Sequence, residues 1–338
     1  MNRLAPRVLV IDRRAVIGTE ICRAESAHGC KVDVFAEPES PVFRSRFCDR
    51  RFVMHGLDEP AFAAELSSVA SAHQYDAIYV CNEEVLARIV ALSAGANWRG
   101  LLIPPPDLLK IALSKNATLS LVASAGVPVP MTVIPNDEDD LRTFGRRFSL
   151  PIIVKGDTGE SGQNIEVVSK IDDLVGAYRA VLARETRPGS KPAVQEFIPG
   201  FSYSLGALVH RGRPLRVVSY RKLIKYPPPW GGLTVKGITE RDPQLLAEGF
   251  KVFEAFQYSG IGHVEFIRDS RDGHFKFLEI NPRIWGSIAV ARWAGRARST
   301  ACCSSASSRS PTAPAACACR AATSKSCRSR TRPYAAFG

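Results

Sequence analysis

The sequence predicts a mixed α/β fold, and three observations carry that prediction. Short apolar runs alternate with helical stretches over residues 1 to about 105, a glycine-rich loop joins two strands around Gly156 to Gly162, and two alternating runs flank Asp272-Gly273. The 338 residues are 45% hydrophobic and 23% charged, which excludes disorder and collagen-like repeats and suffices for two or three domains of ~100 to 200 residues. Of the net charge of +12, +9 lies in residues 292–338, leaving +3 for the rest. A nearly neutral body offers no clustered basic face with aromatics, so a nucleic-acid surface is excluded there.

The first unit reads in order. Val8, Leu9, Val10 and Ile11 form an apolar run, a helical stretch ends near His28-Gly29, and Val32, Val34 and Phe35 form a second run: strand, helix, strand. Residues 61–72 read as helix, 77–80 as strand and 83–93 as helix, so a parallel sheet with crossover helices is the economical arrangement. The first turn, DRRAVIG, has Gly18 alone and lacks G-x-G-x-x-G, which excludes the dinucleotide fingerprint. Cys22, Cys30, Cys48 and Cys81 have no metal-ligand spacing, and an odd total of nine cysteines predicts reduced thiols in a cytoplasmic protein. The opening MNRLAPRVLVID has too short an apolar run for a secretory signal or a membrane span.

Pro104-Pro105-Pro106 breaks the chain, and residues 107–126 then read as one helix stopped by Pro128 and Pro130. Lys115 falls inside it and, on spacing alone, is a solvated helix lysine. PIIVKGDTGESGQNIEVVS predicts a strand, a loop and a strand; backbone N–H groups of Gly156, Gly159, Ser161 and Gly162 suit a phosphate cover, with Lys155 as a point charge before it. The same pattern also suits a plain hairpin. Residues 193–197 read as a strand turning at Pro199-Gly200, where Glu196 either marks a hinge that offers backbone groups to a purine edge or is an ordinary edge-strand acid. Residues 221–237, with Pro227 to Pro229 and paired glycines, predict an ordered loop rather than a strand. Its Arg221, Lys222 and Lys225 either receive an anionic substrate or line a solvated edge.

GHVEFIRDSRDGHFKFLEINPR decides the chemistry. As an antiparallel hairpin it pairs Val264 with Ile280 and Phe266 with Leu278 on an apolar face, and Glu265 with Glu279 and His263 with Asn281 on the other. Opposed carboxylates repel unless something positive lies between them, and a divalent cation is the simplest answer. Two carboxylates and an amide are hard oxygen donors, suited to Mg²⁺ rather than Zn²⁺, and Mg²⁺ implies a nucleotide. In so oxygen-rich a site His263 reads as a neutral imidazole hydrogen-bonded nearby rather than as a ligand. No Ser-His-Asp or Cys-His grouping stands out.

Taken together, Lys115, Lys155 before the glycine loop, Glu196 in VQEFIPG, Glu265 and LEINPR resemble the ATP-grasp superfamily of carboxylate ligases, in particular carbamoyl-phosphate-synthetase-like ligases ending in NPR-x-WGS, here NPRIWGS. The resemblance covers residues 4 to about 291. It implies a pre-ATP-grasp parallel-sheet domain over 1–105 and a two-lobed α+β ATP-grasp domain over 106–291. It also implies that Lys115 and Lys155 bind nucleotide phosphates under the Gly159, Ser161 and Gly162 loop, and that Glu196 with the backbone of Phe197 and Ile198 holds adenine. Glu265, Glu279 and Asn281 would bind one or two Mg²⁺, with Mn²⁺ as an alternative, and Arg283 would face the transferred phosphoryl group. Where many relatives place an acid for the ribose, this chain has Phe201, Ser202 and Tyr203, so either Ser202 substitutes with a weaker hydrogen bond or the acid comes from elsewhere in the chain. The implied activity is Mg-ATP-dependent, ADP-forming joining of a small carboxylate to an amine, with no nucleic-acid or membrane partner and a homodimer as a possible assembly.

After Val290 there is no Val, Ile or Leu, and residues 292–338 are mainly Ala, Ser, Arg and Cys. Such a segment cannot bury a core, so a disordered tail is expected, and the abrupt change suggests a shifted reading frame. The alternative function is therefore a catalytically impaired ATP-binding remnant. A zinc site from the tail cysteines lacks C-x-x-C spacing and histidine, and a nucleic-acid arm lacks interleaved aromatics.

Overall fold

A computed structural model of the protein describes residues 5–13, 16–57, 61–92, 100–101, 103–159, 164–226, 228 and 232–293. The first sheet is built from β1 (Arg7–Asp12), β2 (Lys31–Ala36), β3 (Arg50–Val53) and β4 (Ala77–Val80), parallel, in the order β3-β2-β1-β4. The crossovers are α1 (Ile17–Ala27) and α2 (Phe62–Ala72), and α3 (Glu83–Leu92) follows β4. Unbroken apolar runs work here because the central strand is covered on both faces: Leu9 and Ile11 pack with Phe35 and Phe62, Val8 and Val10 with Val34 and Cys22. β3 is not legible in the pattern, since Arg50 and Arg51 are exposed; its pairing with β2, Asp33 opposite Arg50, places it.

The helix expected over 107–126 is two helices, α4 (Pro106–Ala112) and α5 (Lys115–Ser124). Ser114 leaves the helical region and its Oγ accepts the Ala117 N–H at 3.2 Å, an N-cap that restarts the helix. Next come β5 (Thr132–Val133), α6 (Glu138–Gly145), β6 (Ile152–Lys155), β7 (Ile165–Val168), α7 (Leu174–Leu182) and β8 (Ala193–Glu196). Their strands form an antiparallel sheet in the order β5-β8-β6-β7, whose core is Leu141, Phe148, Ile152, Val154, Val181 and Val194.

The largest sheet is antiparallel, in the order β11-β10-β9-β12-β13, from β9 (Gly200–His210), β10 (Arg213–Tyr226), β11 (Leu233–Thr239), β12 (Gly260–Asp269) and β13 (Phe275–Asn281). α8 (Pro243–Ala255) starts at Asp242, whose carboxylate accepts from Gln244 N–H at 2.8 Å, and packs with α5 on the face of Leu205, Val264, Phe266 and Phe277. Of the loop expected over 221–237, residues 221–226 are instead the end of β10 and 233–237 most of β11, while Pro227, Pro229, Trp230 and Gly231 lie outside the described residues. Two register shifts, around Lys222 and Ile224, and exposure of Leu223, Ile224, Leu233 and Val235 at the sheet edge hide the strand alternation. α9 (Ala289–Trp293) runs two residues into the expected tail; residues 294–338 lie outside the described residues. No helix among the described residues is long and apolar enough to cross a membrane.

Candidate active site

The four strands β10, β9, β12 and β13 share one face. Register sets Tyr220, Ser204, Glu265 and Glu279 in one row, Val218, Gly206, His263 and Asn281 in the next, and Arg216, Leu208 and Ile261 beyond. Rows two residues apart are separated by about 7 Å. The pairing of Glu265 with Glu279, of His263 with Asn281 and of Val264 with Ile280 agrees with the sequence reading. Beyond Glu265 the ladder shifts: Phe266 faces Phe277, not Leu278, because Phe275 and Phe277 both enter the core. Leu278 is the extra residue of this bulge, and its carbonyl accepts a hydrogen bond from Lys155 Nζ at 3.1 Å.

The charge between the two glutamates comes first from lysines. Lys222 Nζ stands 2.5 Å from Glu265, and Lys155 Nζ stands 3.9 Å from Glu279. Burial opposes the charge on Lys222, yet Glu265 beside it holds the lysine pKa above its ordinary value. Burial lowers that of Lys155, only partly offset by Glu279. Within the carboxylate pair, burial and the facing Glu279 raise Glu265; burial also disfavours the charge on Glu279, but Lys155, Lys115 and Lys222 outweigh it and lower its pKa. Burial, with Lys222 and Arg283, drives His263 well below 6.5, so the imidazole is neutral, as the sequence suggested. Asn281 Nδ2 lies 3.3 Å from His263 Nδ1 and 3.4 Å from Glu279. Among the described residues no cluster of three or more His, Cys, Asp or Glu forms, so a metal here depends on Glu265, Glu279 and the Asn281 amide, an oxygen donor set that fits Mg²⁺.

Lys115, far from a plain solvated lysine, is the first residue of α5 and donates to the Gly159 carbonyl at 2.6 Å. A small cavity collects Glu83, Lys115, Thr118, Gly159, Glu279 and Asn281. The base of the glycine loop is tied down by two acids that the sequence reading passed over. Asp157 accepts from Ser114 Oγ at 2.8 Å, from Asn116 N–H at 2.9 Å and from Arg187 at 2.6 Å. Glu185 accepts from the N–H groups of Asp157 and Thr158 and from the Thr158 hydroxyl. Gly156 cannot be replaced cheaply, since a Cβ there would meet Asn164 Nδ2 at 1.9 Å. The loop positions Ser161 and Gly162 lie outside the described residues.

At the other end, Glu196 ends β8 and its carboxylate is engaged by protein: Met131 N–H at 2.9 Å, Arg271 at 3.1 Å and Lys276 at 3.4 Å. Burial works against its charge, and these partners nonetheless lower its pKa. Phe197 is half-buried and Ile198 buried just beyond. Ser202 faces Ile267 across β9 and β12, one row from Glu265. Arg283 pairs with Glu83 of α3 at 3.4 Å, linking the NPR segment to the first sheet. Glu83, Asp157 and Glu185 carry no local sequence signal beyond Asp157 lying two residues after Lys155.

Residues 112–287, more than half of the chain, match the family described as an ATP-grasp domain. Biotin carboxylase 1 of Bacillus subtilis is 23% identical over 300 residues, 82% of this chain and 64% of its own length, so the chain spans less than two thirds of that relative. Among solved structures, the biotin carboxylase domain of the Hydrogenobacter thermophilus 2-oxoglutarate carboxylase, in complex with MgADP, ADP and bicarbonate, superposes with a TM-score of 0.64 at 19% identity, covering 85% of this chain and 66% of that one. N5-carboxyaminoimidazole synthetase from Staphylococcus aureus, complexed with ADP, gives 0.65 at 15% identity, covering 87% and 75%. These likenesses establish the fold, and the family match over residues 112–287 shows that the chain belongs to the ATP-grasp family.

Proposed function

We propose that the protein is an Mg-ATP-dependent ligase that activates a substrate carboxylate as an acyl phosphate for attack by an amine. The observation that carries this reading is the convergence of Glu279, Asn281, Lys115 and the Gly159 loop on one cavity, with Glu265 and Lys155 at its edge. Lys115 and Lys155 hold the nucleotide phosphates beneath Gly159, together with Ser161 and Gly162. The Glu196 carboxylate, engaged by Met131, Arg271 and Lys276, fixes the strand end so that the backbone of Phe197 and Ile198 meets the adenine, and Ser202 serves the ribose. Glu265, Glu279 and Asn281 hold Mg²⁺, which, when bound, neutralises charge on the phosphate oxygens.

A carboxylate oxygen of the substrate attacks the γ-phosphorus in line; the bond to the bridging oxygen breaks and ADP departs with that electron pair. The amine nitrogen then attacks the acyl carbon, inorganic phosphate leaves, and the nitrogen gives up its proton. Lys155 and Arg283 offset the spreading charge, and no covalent nucleophile from the protein is required. Calorimetry of ATP binding to the full chain, with and without Mg²⁺ and beside Glu279→Ala, tests the reading. Micromolar binding that needs Mg²⁺ and is lost in the variant is expected; a folded protein that binds no ATP overturns it.

A further inference from the structure

His263, the cross-strand partner of Asn281, and Trp285, which stacks on it at 5.1 Å and 9°, have no part in the roles above. Both are buried, at 3% and 4% exposure. Room for the indole is made on β9, where Gly206 stands opposite His263 and a Cβ would meet the Trp285 ring at 2.2 Å. Stacking on a buried indole fixes the plane of the imidazole and with it the direction of its edge.

That edge meets the Asn281 amide. Asn281 Nδ2 is 3.4 Å from a Glu279 oxygen and 3.3 Å from His263 Nδ1. An ionised carboxylate only accepts, so the amide presents its N–H side to Glu279; the same nitrogen then faces the imidazole, and Nδ1 must be bare to accept from it. The opposite tautomer would set two N–H groups against each other and recover nothing, because Nε2 has no hydrogen-bond partner among the described residues. Neither bond uses Asn281 Oδ1.

We propose that His263, held in plane by Trp285, is a positioning residue for the metal: its bare Nδ1 takes the Asn281 N–H and so commits Asn281 Oδ1 to Mg²⁺. An amide left to itself can rotate by half a turn and offer the cation an N–H in place of an oxygen, and two acceptors on its nitrogen side prevent that. Hydrogen-bond partners behind a metal ligand set the affinity of the site. The role rests on the ligase reading for the presence of the metal; the hydrogen bonds do not depend on it.

The test titrates Mn²⁺ into the full chain, alone and with ADP, and reads protein-bound Mn²⁺ from the enhanced relaxation of water protons. His263→Leu removes the acceptor and should weaken Mn²⁺ in the presence of ADP by about 10- to 100-fold. His263→Asn places an oxygen acceptor where Nδ1 stood and should recover most of that loss, whereas His263→Gln, whose oxygen reaches the Nε2 position, should not. Trp285→Leu leaves Nδ1 in place but frees the ring and should fall between His263→Leu and the native protein. ADP binding without metal should be unchanged throughout, and a parallel loss of ADP overturns the inference. If His263→Leu does not fold, the Asn and Gln pair carries the comparison by itself. Native Mn²⁺ affinity in His263→Leu, or equal affinity in the Asn and Gln variants, overturns the inference and leaves the ligase reading standing. Mn²⁺ binding that depends on His263 but that ADP does not strengthen sinks the ligase reading alone, and no Mn²⁺ binding by the folded protein, with or without ADP, sinks both.

Discussion

Lys222 reaches across the whole of β9, from β10, to place its ammonium 2.5 Å from Glu265 on β12. Glu265 and Glu279 are thus opposed carboxylates held by lysines, and on the proposed role of Glu265 in holding Mg²⁺, Lys222 would compete with the metal for that carboxylate. Lys222→Met leaves two buried acids facing each other with no cation against Glu265 at ion-pair distance and only Lys155 and Lys115 to offset Glu279. Breaking a buried pair typically costs about 3 to 5 kcal/mol, and that loss is expected in urea denaturation. Added Mg²⁺ should recover more stability in the variant than in the native protein; an equal effect in both contradicts the competition.

Arg283 is expected to act on the phosphoryl group rather than on ATP affinity. Arg283→Ala should lower kcat by about 100-fold or more, with the dissociation constant for Mg-ATP little changed, since loss of an electrostatic clamp costs about 2.7 to 4 kcal/mol in the transition state. Steady-state kinetics beside nucleotide calorimetry separate the two; a parallel loss of binding assigns Arg283 to the ground state instead.

Asp157 joins the start of α5 to the base of the glycine loop through Ser114, Asn116 and Arg187. Asp157→Ala removes the ties that hold Lys115 against Gly159. The expected outcome is a KM for ATP raised about 10-fold, with a stability loss of about 1 to 3 kcal/mol. A variant with native KM shows that the loop is positioned by Glu185 alone.

Asp269 is fully buried and is held far below its ordinary value of 3.8 by Arg271 first, at 2.6 Å, and by Lys276 at 3.0 Å. A carboxylate lowered in the folded state contributes stability that is fully present above its unfolded value and is lost as pH falls toward the folded one. The stability difference between native protein and Asp269→Asn should therefore be constant between about pH 5 and about pH 8 and shrink below about pH 4. Denaturation curves across that range check it; a gap that widens in acid reverses the assignment.

The elements legible from residue order are those whose burial follows their own pattern. β1, β2 and β4 are apolar runs because both faces are covered, and the glutamate pair was readable because register holds from His263 to Glu265. What escaped depends on distant partners. β3 is charged and exposed, and only β2 places it. The break at Ser114 is an ordinary polar residue until Asp157 takes its hydroxyl. Lys222 looks like one of three loop cations, and nothing near it in sequence announces that it is buried against Glu265.

The bulge at Leu278 separates folding from chemistry by a single residue. Phe266 opposite Phe277 and Glu265 opposite Glu279 are neighbouring rungs, so a chain lacking Leu278 would close the β12–β13 ladder without a gap and keep both phenylalanines in the core. It would lose the carbonyl that receives Lys155. A one-residue deletion, ordinarily the most damaging lesion a strand can suffer, would here leave the hairpin paired and take away the carbonyl on which the Lys155 ammonium rests. The spare residue serves the position of Lys155 and not the pairing of the sheet.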